Sequence, residues 1–175
     1  MIIDAQREYT EGQLPLSGIQ EAVAELKRLL NRARSAGAPV FHVVQRGRRG
    51  RGLFDPAGPM AEIIRELTPL EGEVVIAKSL PNGFARTDLD AQLKARSIRK
   101  VIFAGFMTHM CVETTVRAAL ELGYESTVVA SACATRDLSD GAGGVVTAAV
   151  VHRASLAALA DRFAVVVEKP EDIQP

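Results

Sequence analysis

Residues 101–111 read Val-Ile-Phe-Ala-Gly-Phe-Met-Thr-His-Met-Cys. The run from Val101 to Ala104 is wholly apolar, as is typical of a strand that is buried on both faces of a sheet. Gly105 ends this strand, and a helix is predicted to start near Cys111 and to end at Gly123. A buried strand followed by a helix is the unit from which parallel sheets are built.

The same alternation extends outward over the whole chain. Apolar runs predict six strands, at residues 1–3, 40–44, 74–77, 101–104, 126–130 and 164–167. Apolar residues at helical spacing predict helices at 17–37, 60–67, 87–95, 111–123 and 145–159, the first opened by a capping box of Ser17 and Gln20. With right-handed crossovers, these elements form an α/β fold with three α/β/α layers, a doubly wound, Rossmann-like arrangement around a six-stranded parallel sheet. Residues 1–175 are predicted to form a single domain.

Composition argues against several classes of partner. The chain has 21 Lys and Arg residues against 21 Asp and Glu residues, so no net charge attracts a nucleic acid or an anionic membrane. No apolar run reaches the roughly 18 residues that span a bilayer, and the N-terminus lacks the pattern of a signal peptide. We therefore expect a cytoplasmic protein that binds neither nucleic acid nor membrane.

Three reactive side chains follow strands at the carboxyl edge of the predicted sheet. Asp4 comes directly after the first strand, Lys78 after the third, and Cys111 follows the fourth. Each alone has an ordinary explanation: a turn residue, a lysine that reaches solvent, and a small buried apolar residue, respectively. Ligands of such sheets bind beyond the carboxyl ends of the strands, so the shared edge favours a catalytic site.

Cys111 is the candidate nucleophile. A thiol at the N-terminus of a helix lies at the positive end of the helix dipole, which is expected to stabilise the thiolate and lower the thiol pKa. Unpaired backbone N–H groups at the same place can hold an oxyanion. The other cysteine, Cys133, follows the fifth strand and is predicted to be a small buried residue.

Three segments carry a resemblance to a known family. They are Ile3-Asp4-Ala5-Gln6 with Tyr9, then Lys78 with Asn82-Gly83-Phe84 and Thr87-Asp88-Leu89, and finally Gly105 through Thr115. In this order they resemble the opening motif, the central lysine segment and the nucleophile motif of the isochorismatase-like hydrolases. That superfamily includes nicotinamidases and N-carbamoylsarcosine amidohydrolase, and the matches span nearly the whole chain.

The resemblance implies a catalytic triad of Asp4, Lys78 and Cys111. Asp4 would accept the thiol proton, Lys78 would orient the carboxylate, and the thiolate would attack an amide carbonyl to form a thioester. The backbone N–H groups of Met107 and Cys111 would form the oxyanion hole, with a cis peptide between Phe106 and Met107. The family usually forms assemblies, so a homodimer or a higher homo-oligomer is expected.

The predicted pocket holds a small molecule and needs no cofactor. The residues expected to line it are Gln6, Tyr9, Phe84, Thr108 and His109. His109 departs from the family pattern, in which most relatives have an acidic residue at this position, and its role is left open.

A metal site is not expected. Nicotinamidases of this family commonly bind a metal through a D-x-H pattern and a further His, whereas the corresponding stretch from Val43 to Arg48 has no such pattern. The histidines of the chain are His42, His109 and His152, of which His42 is predicted to be a core residue and His152 to be structural or exposed. Without a Lewis acid to hold a pyridine nitrogen, we predict a metal-independent enzyme that acts poorly on nicotinamide.

Two glycine-rich segments have less certain functions. Arg46, Arg48, Arg49 and Arg51 follow the second strand, where they could form a flexible solvated loop, border the active site or, against the neutral charge of the chain, bind RNA. The segment 141–144 lacks the lysine of a phosphate-binding loop and is predicted to be a turn before a helix.

Three functions remain open from the sequence. The first is a cysteine-dependent hydrolase that cleaves a C–N bond of a small amide, ureido or lactam substrate through a thioester. The second is vinyl ether hydrolysis of the isochorismatase type, in which the position of Cys111 is typically not cysteine. The third is a non-catalytic binding protein, in which a buried Asp4 and Lys78 would be costly charges without a task. The residues favour the first function and do not identify the physiological substrate.

Overall fold

A computed structural model describes residues 1–174 of the chain. The strands are Ile2–Ile3 (β1), Phe41–Gln45 (β2), Val74–Lys78 (β3), Lys100–Phe106 (β4), Glu125–Ala134 (β5), Leu138–Ser139 (β6), Val145–Val146 (β7) and Val165–Val167 (β8). The α-helices are Ile19–Ser35 (α1), Leu89–Ala95 (α2), Glu113–Glu121 (α3) and Ala148–Arg162 (α4).

The main sheet has six parallel strands in the order β3-β2-β1-β4-β5-β8, so the predicted doubly wound α/β fold is confirmed. From β1 the chain moves outward through β2 to β3, then crosses to the other side of β1 and continues from β4 through β5 to β8. The direction of winding therefore reverses between β1 and β4. Sheets of this kind bind their ligands at that reversal, beyond the carboxyl ends of the strands.

Strand β1 is short but central. Ile2 and Ile3 pair with β2 on one side and with β4 on the other, and both are buried. Gly105 makes the close pairing with β4 possible, because a Cβ atom at this position would overlap the backbone of Ile3. The φ angle of Gly105 is +125°, a value that side-chain-bearing residues rarely adopt. The spacing between β1 and β4 therefore depends on this glycine.

Helix α1 buries the apolar stripe that its sequence predicts, but the predicted capping box is wrong. The N-cap is Gly18, whose φ is +65°, and no side chain caps the helix. Ser17 instead donates its backbone N–H to the carbonyl of Thr135 at 3.0 Å. The helix thus starts from a bridge to the end of β5 and does not have the predicted cap.

Two further predictions of helix position are corrected by tertiary pairing. Residues 60–67 do not form one helix but two 3₁₀ turns, Pro59–Ala61 and Arg65–Leu67. Between them the backbone is extended, because Ile63 bridges Gln6 and the N–H of Ile64 bonds to the carbonyl of Ala5 at 3.0 Å.

The helix predicted from residue 145 begins later, at Ala148. Residues Val145–Val146 form the antiparallel hairpin of β6 and β7 with Leu138–Ser139. The segment 141–144 lies at the tip of this hairpin, so the turn is present but a strand follows it before the helix. Asp137 accepts the N–H of Ala148 at 2.7 Å and so caps the helix from a distant position.

A polar cluster lies at the opposite edge of the sheet from the reversal site, around Glu73, the residue before β3. The Glu73 carboxylate accepts two hydrogen bonds from Arg34, at 2.7 and 2.9 Å, and one from the backbone of Leu70 at 3.0 Å. His42, buried in β2, lies 2.9 Å from the same carboxylate, as expected of a core histidine with one hydrogen-bonding partner. The hydrogen bond from Arg34, more than any other contact, lowers the pKa of Glu73 to about 2.

Within residues 1–174, none of the helices is both long enough and apolar enough to cross a bilayer.

Candidate active site

Asp4 leaves the sheet at the reversal point in an unusual backbone conformation. Its φ is +49°, in the left-handed region that residues with a side chain rarely adopt outside turns and functional sites. The conformation is held by hydrogen bonds from the Asp4 N–H to Val43 and from the N–H of Gln6 to the Asp4 carbonyl, both 2.7 Å long. The carboxylate is fully buried.

Lys78 ends β3 and donates hydrogen bonds to three side chains. Its Nζ lies 2.7 Å from Asp4 Oδ2, 2.7 Å from Gln45 Oε1 and 3.3 Å from Cys111 Sγ. An ammonium group has three N–H bonds, so each has an acceptor. The structure therefore brings Asp4, Lys78 and Cys111, predicted from three separate strand ends, into one buried cluster.

Cys111 lies in a turn of π-helix, Thr108–Val112, which leads directly into α3. The peptide between Phe106 and Met107 is cis, as predicted. The carbonyl of Met107 accepts the N–H groups of Met110 and Val112, at 3.1 and 3.2 Å, and so closes the turn around the thiol.

Thr115 joins this turn to the segment that follows Lys78. Its hydroxyl donates to the carbonyl of Cys111 at 2.6 Å and accepts the N–H of Gly83 at 2.9 Å. The nucleophile turn and the lysine segment therefore share one buried hydrogen-bonding side chain.

The electrostatics of the thiol differ from the sequence-based expectation. Burial, followed by the nearby Asp4 carboxylate, raises the pKa of Cys111 to about 12, and the opposing effect of Lys78 is smaller. The expectation of a lowered pKa is therefore wrong for the unliganded site, because burial and a like charge outweigh the helix end. Burial also raises the pKa of Asp4, against the opposing charge of Lys78.

Asp4 nevertheless has a free acceptor. Its Oδ1 atom is buried and has no hydrogen-bond partner among residues 1–174, whereas Oδ2 is bonded to Lys78. A protonated thiol beside a buried carboxylate with one unused oxygen is an arrangement suited to proton transfer from sulfur to oxygen.

The family comparison agrees with this geometry. The model of the isochorismatase domain matches residues 1–171. The chain belongs to the isochorismatase family. A secreted isochorismatase effector of Verticillium dahliae is 38% identical over 171 residues, which are 98% of this chain and 87% of the relative.

Other known proteins are similar to this chain in structure or in sequence. The crystal structure of an isochorismatase from Pseudomonas putida KT2440 has a TM-score of 0.94 and 48% identity, and the match covers 98% of this chain and 88% of that one. A ureidoacrylate amidohydrolase of Stutzerimonas stutzeri is 29% identical over 169 residues, covering 75% of this chain and 67% of the relative.

Tyr9 is a predicted lining residue that is buried near Asp4 and Cys111. Its ring is buried and packs edge-on against Phe54 and Phe106, with centroids 5.2 and 5.8 Å apart. Burial raises the pKa of the phenol, and the charges of Asp4 and Cys111 raise it further, which places the ring next to both groups.

Gln6 occupies a different place from the predicted one. It has no exposed surface, and its amide bonds entirely to backbone: Nε2 to the carbonyls of Gln45 and Ala61, and Oε1 to the N–H of Gln45. It braces the end of β2 through these hydrogen bonds.

Phe84 packs against another aromatic residue of the domain. Its ring stacks on Tyr124, with centroids 5.8 Å apart and an interplanar angle of 15°. Tyr124 directly precedes β5 and therefore lies at the amino edge of the sheet, opposite the triad. The stack anchors the segment after β3 against the body of the domain.

Thr108 and His109 flank the nucleophile through different partners. Thr108 is buried, and its hydroxyl lies 2.9 Å from Nδ1 of His152 on α4, which gives this histidine a structural contact. His109 is partly exposed, and its Nδ1 lies 2.6 Å from the hydroxyl of Thr135. Burial lowers the pKa of His109, and the charge of Arg136 lowers it further.

Sequence reasoning missed two residues at this site. Gln45 bonds directly to Lys78, but the end of β2 was searched only for metal ligands. Arg136 lies close enough to His109 and Tyr9 for its charge to affect both, and its Nε is buried with no partner among residues 1–174. Arg136 lies just beyond the carboxyl end of β5, so the rule that ligands bind at that edge could have indicated it.

The arginine segment after β2 is a defined hairpin whose base borders the site. The N–H of Arg46 donates to the carbonyl of Lys78 at 2.8 Å, and the N–H of Gly47 donates to Phe54 at 2.9 Å. The N–H of Phe54 in turn donates to the buried carboxylate of Glu8 at 3.3 Å. The exposed arginines are Arg48, Arg49 and Arg51.

Two further features bear on the chemistry of the site. Cys133 is buried as predicted, and burial raises the pKa of its thiol to about 12. No group of three or more His, Cys, Asp or Glu side chains in residues 1–174 is arranged to hold a metal ion.

Proposed function

We propose that this member of the isochorismatase family is a cysteine-dependent hydrolase that cleaves a C–N bond of a small amide, ureido or lactam substrate. The observation that carries the proposal is the Lys78 ammonium, which bonds at once to the Asp4 carboxylate and to the Cys111 thiol. A buried acid, base and thiol in mutual contact are the groups that acyl transfer through a thioester requires.

The proposed reaction begins with proton transfer from Cys111 Sγ to Asp4 Oδ1. The thiolate then attacks the carbonyl carbon, and the C=O electron pair moves to oxygen, where the N–H groups of Met107 and Cys111 stabilise the negative charge. When the tetrahedral intermediate collapses, the C–N bond breaks and the Asp4 carboxyl group gives its proton to the leaving nitrogen. Water then attacks the thioester, Asp4 accepts one of its protons, and the acid is released as the thiol is restored.

The high pKa of the resting thiol is compatible with this sequence of steps. Burial, followed by the Asp4 carboxylate, raises the pKa of Cys111 to about 12, which favours the neutral thiol, and Lys78 lies beside both side chains. The thiolate is then formed when a carbonyl is in position to be attacked.

The reaction is proposed to need no metal. At the positions where nicotinamidases have their D-x-H pattern, this chain has Gln45 and its neighbours, and Gln45 Oε1 is already bonded to Lys78. One relative of this chain is named a ureidoacrylate amidohydrolase, which supports the proposal of amide hydrolysis.

A panel of amides tests the proposal. Wild-type protein is incubated with primary amides, ureido acids and lactams, and the release of ammonia or amine is measured against Cys111→Ala as the matched control. Turnover by the wild type alone is the expected result. Turnover that persists in Cys111→Ala would show that the thiol is not the nucleophile.

A second candidate is favoured by one relative. The secreted effector of Verticillium dahliae, 38% identical to this chain, is named an isochorismatase. Vinyl ether hydrolysis would need Asp4 as a proton donor but not Cys111 as a nucleophile. Isochorismate turnover by both wild type and Cys111→Ala, with no amide turnover, would favour this second function over the first.

A further inference from the structure

Gln45 supplies the third acceptor of the Lys78 ammonium. Its Oε1 lies 2.7 Å from Nζ, the same distance as the Asp4 carboxylate oxygen. Gln45 is the last residue of β2 and Lys78 the last of β3, and the two are register partners across the parallel pair. Their side chains therefore leave the same face of the sheet side by side.

The backbone of Gln45 is held by the side chain of Gln6. Gln6 Oε1 accepts the Gln45 N–H at 2.7 Å, and Gln6 Nε2 donates to the Gln45 carbonyl at 2.9 Å. The second proton of Nε2 bonds to Ala61 at 2.8 Å, so the fully buried amide cannot rotate without losing these bonds. The backbone leaves β1 at Asp4, so β1 does not extend far enough to pair with Gln45. The Gln6 amide makes the hydrogen bonds to the Gln45 backbone instead.

We propose that Gln45 is a positioning residue that holds Lys78 between Asp4 and Cys111, and that Gln6 acts as the clamp that fixes Gln45. The inference rests on the proposed function for the roles of the triad, but its contacts are independent of any substrate. Gln45 touches none of the reacting atoms and acts through Lys78.

The neutral charge of Gln45 is central to this role. The titratable groups that face Lys78 are Asp4, from the end of β1, and Cys111, from the nucleophile turn, with Tyr9 beside both. With one carboxylate and one ammonium, the cluster is electrically balanced. A carboxylate at position 45 would compete with Asp4 for Lys78 and add a negative charge close to the thiol, which disfavours the thiolate.

An apolar side chain at position 45 would have a different effect. It would leave one N–H of the Lys78 ammonium without an acceptor. Because Lys78 is only 2% exposed, water could not replace that acceptor, and the variant would be destabilised. Lys78 would then lose its fixed position, and its hydrogen bonds to Asp4 and Cys111 would weaken.

The test measures the pH dependence of Cys111 alkylation by iodoacetamide, followed by peptide mass analysis so that Cys133 is counted separately. The variants are the near-isosteric Gln45→Glu, the apolar Gln45→Met and the clamp variant Gln6→Met. Gln20→Glu, on the exposed side of α1, is the matched control for charge. Circular dichroism establishes that each variant is folded.

We expect Gln45→Glu to slow the alkylation of Cys111 by about tenfold at a given pH. With an amide that the wild type turns over, kcat of Gln45→Glu and Gln45→Met should fall by about 10- to 100-fold, with a smaller change in KM. The fall in kcat should be smaller in Gln6→Met. Gln20→Glu should match the wild type in both measurements.

The outcomes separate this inference from the proposed function. If no amide is turned over but the folded Gln45→Met variant changes the rate of Cys111 alkylation, the positioning role stands and the proposed function fails. If amides are turned over and either folded Gln45 variant matches the wild type in profile and kcat, the positioning role is wrong.

Discussion

Nζ of Lys78 lies 2.7 Å from Oδ2 of Asp4, and neither side chain has any exposed surface. Two opposite charges so placed depend on each other, because a buried charge without its partner is strongly destabilising. The two charges also have opposite effects on the thiol, since Asp4 raises the pKa of Cys111 while Lys78 lowers it. Variants that remove one charge at a time therefore have distinguishable consequences.

Cys111→Ala should abolish amide turnover and leave the fold intact. Both thiols have a pKa of about 12, but only Cys111 has a carboxylate base and a lysine beside it. Iodoacetamide should therefore modify Cys111 before Cys133, as measured by peptide mapping. The matched control is Cys133→Ala, which should retain most of its activity. Preferential modification of Cys133 would contradict the assignment.

Asp4→Asn and Lys78→Met should shift the reactivity of Cys111 in opposite directions. Loss of the Asp4 charge removes a contribution that raises the thiol pKa, so alkylation of Cys111 should extend to lower pH. Turnover should fall by about 100-fold or more, because the general base is missing. Loss of Lys78 should slow alkylation and turnover together. Equal shifts of the alkylation profile in the two variants would show that the charges do not act on the thiol as described.

Activity should survive removal of metal ions. The proposed steps use only Asp4, Lys78, Cys111 and backbone N–H groups, so EDTA should leave kcat and KM of the best amide unchanged. Elemental analysis should find no stoichiometric ion. Loss of activity on chelation, with recovery on addition of zinc, would make nicotinamide the leading candidate substrate.

Glu73→Gln should destabilise the domain in a pH-dependent manner without changing catalysis. The pKa of Glu73 is lowered to about 2 in the fold from its ordinary value of 4.5, so its contribution is fully present above about pH 4.5 and is lost as pH falls towards 2. We expect a loss of about 1 to 2 kcal/mol at neutral pH, measured by urea unfolding, that shrinks across this window. The exposed Glu71→Gln is the control, and a difference independent of pH would contradict this origin.

The protein should be at least a homodimer in solution. Closed symmetric assemblies are common among soluble proteins, and Val75, Val145, Val150 and Val165 are 44 to 67% exposed on the isolated chain. Light scattering at micromolar concentration should give a mass of about twice 18.7 kDa or more. A mass of one chain would contradict this expectation.

Much of the fold and the triad could be predicted from the sequence because both depend on local patterns. Continuous apolar strands specify a parallel sheet, and the residue after each strand specifies what lies at its carboxyl edge. Asp4, Lys78 and Cys111 were found in this way, before any contact between them was known.

The rest depends on contacts between distant segments, for which the sequence has no periodic signal. Gln6 is predicted to line the pocket, but its amide bonds to backbone groups of β2 and of the 3₁₀ turn at Ala61. Phe84 stacks on Tyr124, a contact that the sequence does not predict, and burial raises the thiol pKa that the helix end was expected to lower. Each error arose where tertiary packing, not local propensity, determined the outcome.

The close approach of Gly105 to Ile3 also has a consequence for how this protein tolerates mutation. Any side chain at position 105 would wedge apart β1 and β4, the two strands whose ends carry Asp4 and the nucleophile turn. The separation of base and thiol would change before the core was lost, so a mutational scan scored by turnover would rank Gly105 beside the triad. A scan scored by protein abundance would rank Gly105 lower. The difference between the two scores would show that Gly105 is required to set the distance between the reacting groups although it takes no part in the reaction.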